Sequence, residues 1–144
     1  NETDRCGCGK KGCLEQYGSA TGIVRIANRV LAATDEASVL RDGELTAKAV
    51  CDAAKAKDAV AVKVMEQFGE YLGRGLAAIA CVVNPEVFVI GGGVSKAGEM
   101  LFDYIRPNYE KYVFHGSKNT KFALATLGND AGIVGAARLV LEQD

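Results

Sequence analysis

The sequence predicts an α/β fold that is rich in helix and carries only part of a sheet. Two short apolar runs, EVFVI at 86–90 and KFALATL at 121–127, are bounded by turn residues, as parallel strands buried on both faces are. Each is followed by a glycine-containing turn (GGGVSKAG, then LGNDAG) and a helical pattern. Ahead of both, residues 58–83 carry one long apolar stripe at helical spacing. The order helix, strand, helix, strand, helix implies a right-handed crossover. Two strands do not make an independently stable sheet. Residues 1–144 are therefore expected to form a single partial domain, the C-terminal half of a larger protein. The start at Asn1 rather than Met, five residues before a dense motif, is read the same way.

The elements follow in order. A helix over Leu14–Gly18 starts directly after the last cysteine of that motif. Ser19 or Thr21 can cap the next segment, which places Ile23, Ala27, Val30 and Leu31 on one face. Thr34 is expected to cap a helix over DEASVLR, and Asp42-Gly43 to turn the chain. Thr46 caps AKAVCDAAKAK. In the long helix, Val64, Met65, Phe68, Leu72, Leu76, Ile79 and Val83 form the core stripe, opposite Lys63, Glu66, Gln67, Glu70 and Arg74. Gly69, Gly73 and Gly75 weaken that helix, so they are expected to permit close approach of another element. Asn84-Pro85 stops it. Ser95 can cap a helix with Met100, Leu101, Tyr104, Ile105 and Tyr109 as its apolar positions, which Pro107 should kink or break. Asn129 or Asp130 starts the last helix, AGIVGAARLVLEQ.

Charge and hydropathy narrow the function. The formal net charge is −1 with no basic block, which gives nucleic-acid binding no electrostatic support. No apolar run approaches the roughly 20 residues of a membrane span, and no signal peptide precedes the first motif, so a cytoplasmic location is expected.

The chemistry concentrates in CGCGKKGC, residues 6–13. Cys6 and Cys8 are too close for an unstrained disulfide, and the C-x-x-C redox spacing is absent. Three thiolates spaced C-x-C-x4-C can take three corners of a zinc tetrahedron, with Gly7, Gly9 and Gly12 letting the backbone fold tightly. The alternative is a flexible glycine-rich loop with incidental cysteines. The sole histidine, His115, stands about a hundred residues away; a fourth ligand upstream of Asn1, or water, is the expected completion of the site. Cys51 and Cys81 read as small buried side chains. Gly91, Gly92 and Gly93 lie beyond the carboxyl end of the first strand, where ligands of open α/β sheets bind. The stretch is neither a Walker A loop nor G-x-G-x-x-G, since position 96 is Lys. A flat nucleotide platform and a plain strand-to-helix turn both remain open. The glycines of LGNDAG are expected to serve close helix packing.

Together these pieces resemble one family. CGCGKKGCLE matches the C-x-C-G-x-x-G-C-x-E motif of the ROK (repressor, open reading frame, kinase) family, and NPEVFVIGGGVS and LGNDAGIVGAA match its later segments. Within it, the chain looks most like the glucose kinases of Gram-positive type. The resemblance implies a ribonuclease H-like, actin–hexokinase-type ATPase architecture: two α/β domains around a cleft, this chain being the C-terminal one. It implies that Cys6, Cys8 and Cys13 hold a structural zinc whose fourth ligand, a histidine in the family, lies outside this stretch. It implies that Glu15 accepts hydrogen bonds from sugar hydroxyls and that Gly91, Gly92 and Gly93 meet the adenosine part of Mg-ATP. The implied reaction is phosphoryl transfer from ATP to the 6-hydroxyl of glucose, by a homodimeric protein. The family's phosphate loop and aspartate base have no counterpart here, so no catalytic residue is expected in this chain and the piece alone should be inactive. The competing readings are a kinase for fructose or N-acetylmannosamine, a sugar-responsive repressor with a helix-turn-helix, and a zinc-stapled interaction module.

Overall fold

The helix at Ala59–Val83 (α4) organises the molecule; the structure, a computed structural model, describes residues 3–141. Asp58 caps it, its carboxylate accepting from the Ala61 N–H at 2.9 Å. The same carboxylate accepts from the Ser38 hydroxyl and the Val39 N–H, at 2.9 and 3.0 Å, so one side chain joins the helix start to the preceding loop. Asn84, left-handed at φ 43°, ends it ahead of Pro85. Val60, Val64, Met65, Phe68, Leu72 and Leu76 are buried. The predicted stripe fades at its end, where Ile79 is 42% and Val83 62% exposed.

Around α4 stand α1 (Glu15–Gly18), α2 (Ala20–Ala32), α3 (Ala47–Lys55) and α5 (Met100–Tyr112). The predicted close approach holds at all three glycines, to backbone at two of them and to a side chain at the third. A β-carbon on Gly69 would lie 2.6 Å from the Tyr104 carbonyl carbon, and one on Gly73 2.8 Å from the Tyr109 nitrogen, so α4 and α5 meet backbone to backbone. Gly75 instead leaves room for Leu14, the residue that follows the last loop cysteine.

Strands β1 (Val87–Ile90) and β2 (Lys121–Leu124) pair in parallel, Val87 opposite Lys121 and Ile90 opposite Leu124, with α5 as the connection between them. Phe88, Phe102, Tyr109 and Phe122 pack ring on ring beneath them, with centroids 5.2–5.9 Å apart. Burial of β1 on both faces does not hold among the described residues: Val87 is 42% and Val89 60% exposed. Helices cover one side of this sheet and nothing described covers the other.

Other expectations need correction. Residues 35–41 form no helix beyond a 3-10 turn at Val39–Arg41, capped by Ser38. The Thr34 hydroxyl accepts from the Glu36 N–H, and Arg41 reaches back to the Thr34 and Glu36 carbonyls, which holds the segment as a loop. Ser95 does not cap α5. It lies in a 3-10 turn at Gly93–Ala97 and donates to the Gly92 carbonyl at 2.8 Å, while α5 starts without a side-chain cap. Pro107 does not break α5, which continues to Tyr112; buried Ile105 and Tyr109 on either side hold the helix against α4. Cys51 is buried, but Cys81, on the outer face of α4, is exposed. The last helix, α6 (Ala131–Leu141), buries none of its residues, and a β-carbon at Gly132 would meet open space. Close packing is therefore not what LGNDAG provides among the described residues; Gly128, at φ 54°, serves the turn. The expected reach of this helix to Gln143 falls outside the described residues. Among the described residues no helix is long and apolar enough to cross a membrane.

Candidate functional site

The cysteine loop is closed at its centre by backbone bonds and by Arg5, whose Nη1 donates to the Gly9 carbonyl at 2.9 Å. Arg5 and Lys11 form an antiparallel bridge, the Cys6 N–H donates to the Lys10 carbonyl at 2.7 Å, and the Gly9 N–H to the Cys6 carbonyl at 2.8 Å. Gly9 and Gly12, at φ 81° and 71°, take the left-handed turns that this path requires. The Sγ atoms of Cys6, Cys8 and Cys13 converge within 4.8 Å of one another, and those of Cys8 and Cys13 lie 3.5 Å apart. Sulfurs bound to one tetrahedral zinc at about 2.3 Å stand about 3.8 Å apart, so the donor set and its spacing fit that ion. The Lys10 backbone N–H, then the Cys13 thiol, lower the pKa of Cys8, whereas the hydrogen bond to Cys8 and desolvation push Cys13 up to about 11. The two thiols share a hydrogen bond, and a metal would have to displace its proton. Among the described residues no His, Asp or Glu joins this trio. His115 lies in a separate 3-10 turn, its ring 4.1 Å from that of Phe114.

Glu15 opens α1 and leans over the loop. Its Oε2 accepts from the Cys6 thiol at 3.4 Å and its Oε1 from the Thr21 hydroxyl, also at 3.4 Å. The Ser19 and Thr21 hydroxyls are 2.8 Å apart, and Ser19 Oγ accepts from the Gly22 N–H at the start of α2. Since Thr21 gives its proton to Glu15, the Ser19 proton points at Thr21. The chain of donors therefore runs from the positive end of a helix to the carboxylate.

The glycine turn arrives at the same place. Gly92 has φ 72°. A β-carbon on Gly93 would touch the β-carbon of Ala20 at 3.4 Å, one residue from Thr21. Between this turn, α2 and α3 lies a cavity of about 170 Å³, lined by Ile23, Ala47, Cys51, Val94 and Ala97 among others. Burial raises the Cys51 thiol pKa, so it lines that space as an inert apolar group. The structure thus gathers the three thiols, Glu15 and Gly93 around the start of α2, and leaves His115 apart.

Thr21 and Gln16 were missed as site residues in the sequence. The sequence marks Thr21 only as a possible cap. Gln16, adjacent to Glu15, is 3% exposed and spans the two flanks of the cysteine loop. No local pattern marks either one.

The family model described as "ROK family" matches residues 1–143, and the chain belongs to that family. A glucokinase of Halalkalibacterium halodurans is 46% identical over 144 residues, covering 96% of this chain and 44% of the relative. A solved ROK family glucokinase from Streptomyces griseus, described as a complex with glucose and AMPPNP, aligns with a TM-score of 0.81 at 38% identity, over 93% of this chain and 46% of that one. The DNA-binding transcriptional repressor Mlc of Escherichia coli is 31% identical over 92% of this chain and 33% of its own length. The chain thus spans less than half the length of these relatives. Its architecture is that of the matching part of the ROK sugar kinases, as the predicted actin–hexokinase-type class requires.

Proposed function

We propose that this chain is the sugar- and nucleotide-binding part of an ATP-dependent glucokinase that transfers the γ-phosphoryl group to the 6-hydroxyl of glucose. The observation that carries the reading is the placement of Glu15, whose Oε1 accepts from Thr21, within one turn of α2 from the Gly93 contact. An acceptor for hydroxyls and a side-chain-free nucleotide platform then share one shoulder of the fold. Glu15 accepts hydrogen bonds from two vicinal sugar hydroxyls, as a carboxylate can. Gly91, Gly92 and Gly93 let the adenosine of ATP lie against backbone. Cys6, Cys8 and Cys13 hold zinc, which supplies a rigid tetrahedral corner beneath Glu15. Magnesium bound with ATP neutralises the charge that develops on the phosphates.

The base that takes the proton of the 6-hydroxyl, and the loop that grips the phosphates, belong to the other part of the protein in this reading. That part is the first partner of this chain, glucose and ATP being the others. The assembly would be a homodimer working on cytoplasmic ATP. Coupled ADP release by the full-length protein, with glucose, fructose and N-acetylmannosamine compared, tests the reading; turnover selective for glucose is expected. Turnover selective for another sugar would reassign the acceptor. The likeness to Mlc favours one second reading, a sugar-responsive repressor. Sugar binding without turnover by any acceptor would decide for it.

A further inference from the structure

We infer that Gln16 is the positioning residue of the cysteine loop, holding both of its flanks so that the three thiols stand at metal-binding spacing before an ion arrives. This rests on the reading of Cys6, Cys8 and Cys13 as a metal site. Gln16 and Ser117 are the buried polar residues among those described. A buried amide is costly unless both of its ends are bonded, and here both are. Its Nε2 donates to the Asp4 carbonyl at 3.2 Å and its Oε1 accepts from the Gly12 N–H at 3.0 Å. Asp4 stands two residues before Cys6, and Gly12 immediately before Cys13. One side chain therefore spans the loop from its first flank to its last.

The rest of the loop cannot do this. Its internal backbone bonds join residues 5 to 11 and leave Cys13 outside. Residues 7–12 are exposed, and β-carbons placed on Gly7, Gly9 and Gly12 meet nothing within 4 Å, so packing does not confine them. The first flank is also anchored through the Asp4 carboxylate. The Asp4 carboxylate lies 3.4 Å from Arg25 Nη1, near enough for an ion pair but misaligned for a hydrogen bond, and 3.6 Å from Arg29 Nη2. Besides the start of α1 itself and the Cys8–Cys13 thiol contact at 3.5 Å, the second flank is held by the Gln16 side chain. A loop set in place this way binds metal without first having to fold, unlike domains that order only on metal uptake. Because Glu15 precedes Gln16, the same turn of helix fixes the sugar-side carboxylate and the metal loop together.

The test uses the full-length protein under reducing conditions. Gln16→Met keeps length and burial and removes both hydrogen bonds; Gln16→Glu keeps an acceptor for the Gly12 N–H and serves if the first variant fails to fold. Zinc affinity is measured by competition with a chromophoric chelator, and Gly12 amide exchange is followed in the metal-free protein. Gln16→Met is expected to bind zinc about 10- to 100-fold more weakly, the range known for outer residues that orient metal ligands. Gly12 protection should fall while far-ultraviolet circular dichroism stays unchanged. Wild-type zinc affinity in Gln16→Met would overturn the inference and leave Gln16 as packing. If the wild type takes up no zinc, the metal reading fails separately. Gly12 exchange then decides for Gln16: equal protection in both proteins overturns its role, and lost protection in the variant supports it as the strut of a metal-free loop.

Discussion

The thiol of Cys6 donates to Oε2 of Glu15 across 3.4 Å, so the cysteine loop and the carboxylate proposed to face the sugar are in direct contact. That contact exists only while Cys6 keeps its proton. Zinc takes cysteine as the thiolate, so in the proposed function uptake of the ion would free Oε2 to face a substrate hydroxyl. Glu15 then depends on Thr21. Thr21→Val is expected to raise KM for glucose about tenfold with kcat little changed, the size of one hydrogen bond to a charged group. Thr21→Ser should restore it. Steady-state kinetics on the three proteins checks this, and an unchanged KM in Thr21→Val sinks it.

Glu15→Gln removes the charge and keeps the shape. The expected loss in kcat/KM for glucose is about 10- to 100-fold. Zinc content by elemental analysis should match wild type, because Glu15 is outside the thiol trio. Loss of zinc in this variant would show that Glu15 is itself a ligand.

Asp58 gives the fold an acid-sensitive joint. Its carboxyl is partly desolvated, which opposes ionisation, yet the N–H groups of Ala61 and Val39 and the Ser38 hydroxyl outweigh this and lower its pKa below 3.8. A pKa lower in the folded state than in the unfolded chain means stability that is present above the unfolded value and lost as pH falls through the folded one. Asp58→Ala should cost about 1–2 kcal/mol at pH 7, as loss of a helix cap does. The gap from wild type should narrow in acid, below the ordinary carboxylate range. Urea unfolding at neutral pH and near pH 3 measures both; a gap that stays constant with pH would rule out the ionised cap.

The glycines of the helices separate by what faces them. Gly69→Ala and Gly73→Ala drive a methyl group into the backbone of α5, and each should destabilise by about 1–3 kcal/mol despite the better helix propensity of alanine. Gly132→Ala meets open space and should be neutral or stabilising by up to about 1 kcal/mol. Thermal unfolding of the three variants reads the sign directly. A stabilised Gly69→Ala would mean that α4 and α5 are farther apart than described.

The proposed function places the base and the phosphate-gripping loop outside residues 1–144, so this chain alone is expected to be inactive and to gain activity with the remainder of the protein. ADP release by the isolated chain above background would overturn that expectation.

Much of this was legible because it is written locally. The stripe from Val64 to Leu76 follows helical spacing, Asn84-Pro85 is a stop signal, and the three cysteines stand close enough in sequence to be close in space. What was hidden depends on neighbours far along the chain. Gln16 reads as one more polar residue on a short helix until Asp4 and Gly12 close over it. Pro107 reads as a break, yet packing on either side of it keeps α5 continuous. Residues 35–41 have helical spacing, but Ser38 and Arg41 spend their hydrogen bonds on the loop instead. The exposure of Val89 could not be read from EVFVI, because an apolar strand records the cover it fits, not whether that cover is in place.

A pair of strands has no interior member. Along their free edges β1 and β2 present backbone N–H and C=O groups that no described residue pairs, and Val87 and Val89 lie bare beside them. Such an edge is a template for any other extended chain. Handled by itself, this polypeptide should therefore be a concentration-sensitive reagent, with light scattering and NMR line widths that grow on concentrating and shrink again when a complementary strand is supplied.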